Sequence, residues 1–171
     1  DVFCALNTVF FRDGAFIHIG DGVSIDKPLH IIFISTQGTR PVASYPRLMI
    51  VSGKDSSISV IETHVSKTGI KGLSNSVVEL EIEAGAEVKY ARVQRNSPDF
   101  FHISTTQVQQ AEGSSFSSVA LDLGAKLTRN NVNVVLAGEG ATCDLKGFYA
   151  VSASQHVDNH ISIDHAEPHT K

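Results

Sequence analysis

Half of the chain's eight histidines lie in its last stretch, QHVDNHISIDHAEPHTK (155–171). Spaced by four, five and four residues, they are His156, His160, His165 and His169. Asp158 and Asp164 stand between them. Imidazole and carboxylate side chains bind zinc and other transition metals, and histidine also serves as a general acid or base near neutral pH. This run is therefore the first candidate for a metal site or a catalytic cluster.

The backbone that carries this run decides whether one ion can reach two of its histidines. Apolar residues fall on one face of a strand, namely Val157, Ile161 and Ile163. His156 and His160 then share the opposite face, about 13 Å apart at the rise of a strand. Zinc holds nitrogen ligands at about 2.0–2.1 Å, so one strand cannot bring both imidazoles to one ion. A metal site here needs ligands from a neighbouring element.

The other metal candidates are His165, His169 and Cys143. Pro168 separates the two histidines and favours a turn between them. Cys143 follows a glycine turn at the position of a core residue, which favours a small buried hydrophobe over a thiolate ligand. The second cysteine, Cys4, is distant, and the pair indicates neither a disulfide scaffold nor a CxxC site. Two unpaired thiols are typical of the reducing cytoplasm, where we expect this protein.

Other motifs that carry chemistry are missing from the sequence. It contains no GxSxG, HExxH, Walker, GxGxxG or His-x-His motif. We therefore predict no catalytic residue, no cofactor-binding residue and no bound metal, with the candidates above as the alternative. The net charge is −4 and no Lys/Arg cluster stands out, which argues against nucleic acid. Apolar runs such as residues 31–34 are too short to cross a membrane.

Alternation of apolar and polar residues dominates the rest of the chain. VELEIE (78–83) and NVNVVL (131–136) each have the period of two that is typical of a strand with one solvent face. LHIIFIS (29–35) and RLMIVSG (47–53) are apolar at both parities, which predicts strands buried on both faces. Asn130 and the asparagines at 131 and 133 are placed to form a hydrogen-bonded ladder between stacked strands.

A short turn motif recurs along the chain, with Gly or Asp as its anchor and a hydrophobic residue three positions later. It occurs as GVSI (22–25), DSSI (55–58), GAEV (85–88), GSSF (113–116) and GATC (140–143). The anchors are 33, 30, 28 and 27 residues apart, so the chain contains a degenerate repeat of about 30 residues. A repeat made of strands and turns predicts an all-β solenoid, a right-handed parallel β-helix. A β-sandwich or jelly roll is the alternative, because both also use short strands.

Two long stretches are similar to one known family. LTRNNVNVVLAGEGATCDLKGFYAVSASQHVDNHISIDHAEPHT (127–170) strongly resembles the signature core of the SufB/SufD family, and residues 1–35 resemble the start of its central domain. The ending QHVDNH…PHT is more similar to SufD than to SufB. This resemblance implies a single SufBD core domain over residues 1–171, folded as a right-handed parallel β-helix. It also implies a non-catalytic scaffold for iron–sulfur cluster assembly that pairs with SufB and acts with the ABC-type ATPase SufC.

The family also has parts that do not match this sequence. Its members carry a helical N-terminal region and a C-terminal helical domain on which SufC docks. Their cluster-associated Cys and His lie beyond the position of Lys171, so no cluster residue is carried over, and any iron–sulfur cluster is expected to be handled transiently by the full complex. Because the chain starts at Asp1 and not Met, we expect a processed or excised piece whose uncapped last coil self-associates. A β-helix enzyme acting on polysaccharide and a histidine-based metal-binding module are the alternative functions.

Overall fold

The computed structural model describes residues 1–36 and 41–171. One helix precedes twelve strands: α1 (Val2–Phe10), β1 (Gly14–Ile19), β2 (Leu29–Ser35), β3 (Val42–Ser44), β4 (Arg47–Ser52), β5 (Ser57–Ser66), β6 (Gly72–Ile82), β7 (Glu87–Arg95), β8 (Phe100–Gln110), β9 (Ser115–Asp122), β10 (Leu127–Leu136), β11 (Thr142–Tyr149) and β12 (His156–His165). The predicted all-β class is confirmed. Within the described ranges, no helix is long and apolar enough to cross a membrane.

The strands form two parallel sheets that the chain visits in turn. A seven-stranded sheet has the order β1-β4-β6-β8-β10-β12, with β3 paired to β6, and a five-stranded sheet has the order β11-β9-β7-β5-β2. Each coil therefore places one strand in each sheet, except that β3 and β4 belong to one coil and both pair with β6. The next coil stacks on it in parallel register. This is a parallel β-helix, as the sequence predicts, and the sandwich alternative is wrong because a sandwich of short hairpins is antiparallel.

The predicted turn repeat marks the corner between the two sheets. All five anchors have a positive φ: Gly22 (68°), Asp55 (54°), Gly85 (68°), Gly113 (64°) and Gly140 (73°). Glycine enters this left-handed region without a steric penalty, and aspartate is among the few other residues that tolerate it. The turns also stack, since the Gly85 N–H donates to the Glu112 carbonyl of the next coil at 2.9 Å. One sequence repeat is thus one coil.

The apolar core lies beside these corners, inside the coils. In the seven-stranded sheet one inward row runs through six strands and consists of Ile17, Ile50, Leu80, Val108, Val134 and Ile163. The hydrophobic residues three positions after the anchors face this row from the other sheet, and Ile58, Val88 and Phe116 among them are buried. Glu79, Glu81 and Glu83 point away from the core, so the alternation predicted for 78–83 is confirmed.

The prediction that 29–35 and 47–53 are buried on both faces is wrong. β2 is the edge strand of its sheet, and the outward-pointing Ile32 and Ile34 are 50% and 64% exposed. β4 alternates between buried and half-buried residues, with Leu48 and Ile50 inside. A strand of a two-sheet solenoid has only one face toward the interior, so apolar residues at both parities leave one set outside.

Helix α1 was not predicted, because nine residues offer little periodicity. The Asp1 side chain caps it by accepting a hydrogen bond from the Phe3 N–H at 2.7 Å. Its one fully buried residue, Asn7, donates to the Pro46 and Asn75 carbonyls at 3.0 and 2.8 Å. Asn75 donates back to the Phe3 carbonyl at 2.8 Å. These bonds hold the helix against the outer face of the seven-stranded sheet.

Candidate functional site

The histidine run forms strand β12 and the turn after it, as predicted. β12 pairs in parallel with β10, and His156 and His160 lie opposite Leu127 and Asn131 with their side chains exposed. Between them, Asp158 accepts a hydrogen bond from Arg129 at 3.0 Å. The backbone therefore keeps the two imidazoles on one extended strand, and their neighbouring carboxylate is engaged by an arginine.

The other metal candidates lie apart from these two histidines. His165 ends β12 and its Nδ1 lies 2.7 Å from the Thr170 hydroxyl, while His169 sits in the following turn with a φ of 59°. Cys143 is half-buried against the apolar core, and burial together with Asp144 raises the pKa of its thiol to about 11. In the described part of the chain, no three His, Cys, Asp or Glu side chains are grouped to hold a metal ion.

The structure reveals a different cluster of chemical groups inside the β-helix, on the side of the interior away from the corners. This lumen cluster, which the sequence analysis missed, consists of Glu62, His64, Tyr90, Arg92, His102, Asp122 and Asn130, all buried. A signal for most of it exists in the repeat. Counting in steps of two from the hydrophobic residue after each anchor reaches Glu62, His64, Arg92 and Asp122.

Glu62 is the centre of the first half of the lumen cluster. His64 donates to one of its carboxylate oxygens at 2.5 Å, and the Tyr90 hydroxyl donates to the other. Burial by itself raises the pKa of Glu62. The opposite effect comes from the charge and hydrogen bond of His64, the hydrogen bond of Tyr90 and the charge of Arg92, and it is larger, so the pKa of Glu62 is lowered. Burial and the adjacent Glu62 raise the pKa of Tyr90 well above its usual value. The carboxylate is held ionised and the phenol neutral.

Asp122 is the centre of the second half. Arg92 Nη2 donates to both of its oxygens, at 2.9 and 3.2 Å, and Asn130 donates to one of them at 2.7 Å. Asn130 also accepts from Ser104 at 2.9 Å and donates to Asn159 at 2.7 Å, which links β8, β10 and β12. The predicted asparagine ladder is confirmed at this position.

His102 joins the cluster from the opposite sheet. Its ring lies 4.6 Å from that of His64, centroid to centroid, and neither of its ring nitrogens has a hydrogen-bond partner among the described residues. Burial, followed by the charges of His64 and Arg92, lowers the pKa of His102 well below 6.5. The His102 ring is therefore neutral at physiological pH.

The chemistry open to the lumen cluster is limited by its enclosure. Every carboxylate oxygen of Glu62 and Asp122 is used by a neighbouring side chain, and both residues are shielded from water. A cavity of about 270 Å³ touches Arg92 and Asp122 between the last coils, with Val132 and Leu145 among its apolar walls. Such an arrangement ties neighbouring coils together and encloses the Glu62–His64 pair.

Comparisons with known proteins match this chain to one family. The family model for the SufBD core domain of the SUF system for FeS cluster assembly matches residues 33–171. An iron–sulfur cluster assembly SufBD family protein of Synechocystis is 28% identical over 99% of this chain and 39% of its own length. The chloroplastic protein ABCI7 of Arabidopsis thaliana is 27% identical over 96% of this chain and 36% of its own length.

A third relative is the iron–sulfur cluster assembly protein SufB of Bacillus subtilis, 24% identical over 98% of this chain and 36% of its own length. The chain thus spans well under half the length of these relatives. The family model, by contrast, covers most of the chain, including β3 to β12 and the whole lumen cluster. The chain therefore belongs to the SufBD core domain family of the SUF system for iron–sulfur cluster assembly.

Proposed function

We propose that this chain is the β-helical core of a non-catalytic scaffold subunit for iron–sulfur cluster assembly. The observation that carries the proposal is that both carboxylates of the lumen cluster are engaged, Glu62 by His64 and Tyr90, and Asp122 by Arg92 and Asn130. Buried carboxylates that are hydrogen-bonded to side chains of neighbouring coils tie those coils together. A solenoid whose interior carboxylates are already engaged is suited to holding partners in place.

We further propose that the chain is SufD-like and that the partner is a SufB-like protein, with the outward face of β12 as part of the pairing surface. This face is exposed and carries both donors and acceptors, since His156 and His160 alternate with Asp158 and Ser162. Neutral imidazoles can donate through one ring nitrogen and accept through the other, which suits a hydrogen-bonded interface. In the same proposal the compartment is the cytoplasm, any cluster is a transient cargo of the full complex, and SufC acts through parts of the family outside this chain.

Titration calorimetry with a purified SufB-like protein tests the pairing. Replacing His156 and His160 together by Gln should raise Kd by roughly tenfold, the loss of about one interfacial hydrogen bond, because glutamine cannot reproduce imidazole geometry at both positions. His18→Gln is the matched control: it changes an exposed histidine on β1, the strand at the opposite end of the same sheet. If the unchanged chain, the double variant and His18→Gln all bound the SufB-like protein with equal affinity, β12 would not be part of the interface.

The enzyme alternative has its own test. If the chain cleaved polysaccharide, pectate or other uronic-acid oligomers would be shortened when incubated with it. We expect no shortening, because glycoside hydrolysis uses a pair of carboxylates that reach the sugar, whereas Glu62 and Asp122 are buried. Product formation that disappears in Glu62→Gln or Asp122→Asn would overturn the non-catalytic assignment.

A further inference from the structure

The outer face of the five-stranded sheet carries a continuous apolar stripe. One row crosses all five strands in register, and its members are Ile32, Thr63, Val93, Leu121 and Phe148. On the corner side a second row adds Ile61, Ala91 and Val119, and on the other side Ile34 and Val65 extend it. We call these ten residues the outer stripe. It lies at the side of the solenoid and not at its ends.

Four of the ten residues of the outer stripe are exposed and the other six are half-buried. Ile32 and Phe148, at its two ends, are 50% and 58% exposed, and Val119 is 41% exposed. Contiguous exposed apolar patches larger than a few hundred Å² mark interaction sites on soluble proteins. Five strands spaced about 4.8 Å apart span about 19 Å, which equals the length of about 13 residues of α-helix. A helix laid across the strands would cover the stripe from end to end.

The protein itself shows that a helix packs in this way on its other sheet. Helix α1 lies against the outer face of the seven-stranded sheet, where Asn7 reaches the Asn75 carbonyl on β6 and Asp1 lies 3.4 Å from Asn131 on β10. It therefore crosses several strands. No helix covers the outer stripe within residues 1–36 and 41–171.

Charges at the margins of the outer stripe differ between its two sides. On the corner side Lys89 and Lys146 are paired with Glu87 and Asp144, so this margin is nearly neutral. At the opposite margin, Lys67 and Arg95 are exposed and form no salt bridge with any residue that the structure describes. An occupant with acidic residues along that one side would complement the free positive charges.

We propose that the outer stripe docks an amphipathic helix of a partner protein, with the apolar face of the helix on the stripe and acidic residues beside Lys67 and Arg95. This inference rests on the proposed scaffold function and deepens it, because it gives the scaffold a second partner surface on the sheet opposite β12. Recognition follows the helix-in-groove mode, in which apolar residues three and four positions apart provide the anchors.

A designed probe tests the proposal by fluorescence anisotropy on the whole chain. The probe is a fluorescein-labelled 14-residue peptide with leucines on one helical face and glutamates along one margin. Two further peptides serve as controls, one with lysines in place of the glutamates and one with the same composition scrambled. We expect the glutamate peptide to bind at least tenfold more tightly than either control.

Variants of the chain locate the binding surface. Val119→Glu and Ile32→Glu should each weaken binding of the glutamate peptide at least tenfold. Ser117→Glu, which points outward from the same strand as Val119 but lies off the stripe, should change it less than twofold. Arg95→Glu should weaken the glutamate peptide several-fold and strengthen the lysine peptide. Circular dichroism and urea unfolding establish that each variant is folded, and Val119→Ser replaces any glutamate variant that is not.

Three outcomes would overturn the proposal. The first is equal binding of the three peptides, and the second is unchanged binding of the glutamate peptide to Val119→Glu and Ile32→Glu. The third is a light-scattering result in which these substitutions convert a dimer to a monomer, because it would identify a second copy of the chain as the occupant. The β12 test is independent of this one, because β12 and the outer stripe belong to different sheets and the peptide assay contains no SufB-like protein. Loss of pairing in the His156→Gln/His160→Gln variant, with peptide binding intact, would separate the two surfaces.

Discussion

Arg92 donates two hydrogen bonds to Asp122 inside the β-helix, and the two side chains are only 5% and 3% exposed. Removing one member of a buried ion pair leaves the other charged without a partner. We expect Arg92→Met to lower the free energy of unfolding by about 3–5 kcal/mol, and Asp122→Leu by a similar amount. Urea unfolding measures both.

The double variant Arg92→Met/Asp122→Leu distinguishes pairing from packing. Because neither charge remains in the double variant, its free energy of unfolding should fall by much less than the sum of the decreases in the two single variants. Lys89→Met breaks the exposed pair with Glu87 and should cost less than about 1 kcal/mol. Strictly additive single losses would show that the two residues stabilise the fold independently.

His102 should make stability depend on pH between about 5 and 7. Burial, His64 and Arg92 hold its folded pKa well below 6.5, so below pH 6.5 the unfolded chain takes up a proton that the native state does not. The free energy of unfolding therefore decreases as the pH falls below 6.5, by up to about 1.4 kcal/mol per pH unit. Above pH 6.5 this loss is absent. Glu62, whose pKa is lowered from 4.5, adds its own loss only in more acidic solution.

Urea unfolding at pH 7 and pH 5 measures this dependence. His102→Leu should reduce the difference in unfolding free energy between the two pH values, because the buried titrating ring is gone. His156→Gln, an exposed histidine on β12, should leave the difference as it is. An unchanged pH dependence in His102→Leu would assign the loss to other groups.

A charged residue in the inward row of the seven-stranded sheet should destabilise the fold. Val134 is 1% exposed between Val108 and Ile163, so Val134→Asp buries a carboxylate without a partner and should cost several kcal/mol, on the order of 3–5. Asn133 on the same strand points outward and is half-buried, and Asn133→Asp should cost less than about 1 kcal/mol. Similar losses in denaturant melts would mean that the register of β10 is shifted by one residue.

The histidines of β12 should not hold a stoichiometric metal. Strand geometry separates His156 from His160, and Asp158 is engaged by Arg129. Elemental analysis of the tag-free protein should therefore find far less than one iron, zinc or copper per chain, unchanged by replacing both histidines with Gln. Near one metal per chain, lost in that double variant, would establish the metal-binding alternative.

The coil repeat could be predicted from the sequence because it depends on local physics. A positive φ favours glycine or a tolerant residue such as Asp55, and the five anchors therefore stand out in the sequence. Side chains of a strand alternate between two faces for equally local reasons, so the inward position of Val134 follows from the pattern of 131–136. The fold class and the extended backbone of the histidine run rest on these two rules.

Only the tertiary structure decided which inward polar residues meet. Glu62 finds Tyr90 because β5 and β7 stack in one register, and His102 reaches His64 from the other sheet. Those meetings depend on the length of every coil, which varies by several residues along the chain. The exposure of Ile32 has the same origin, because β2 lies at the edge of its sheet and no local signal records how many strands will stack beside it. Contacts between coils join residues about 30 positions apart, and their geometry exists only once the coils are stacked.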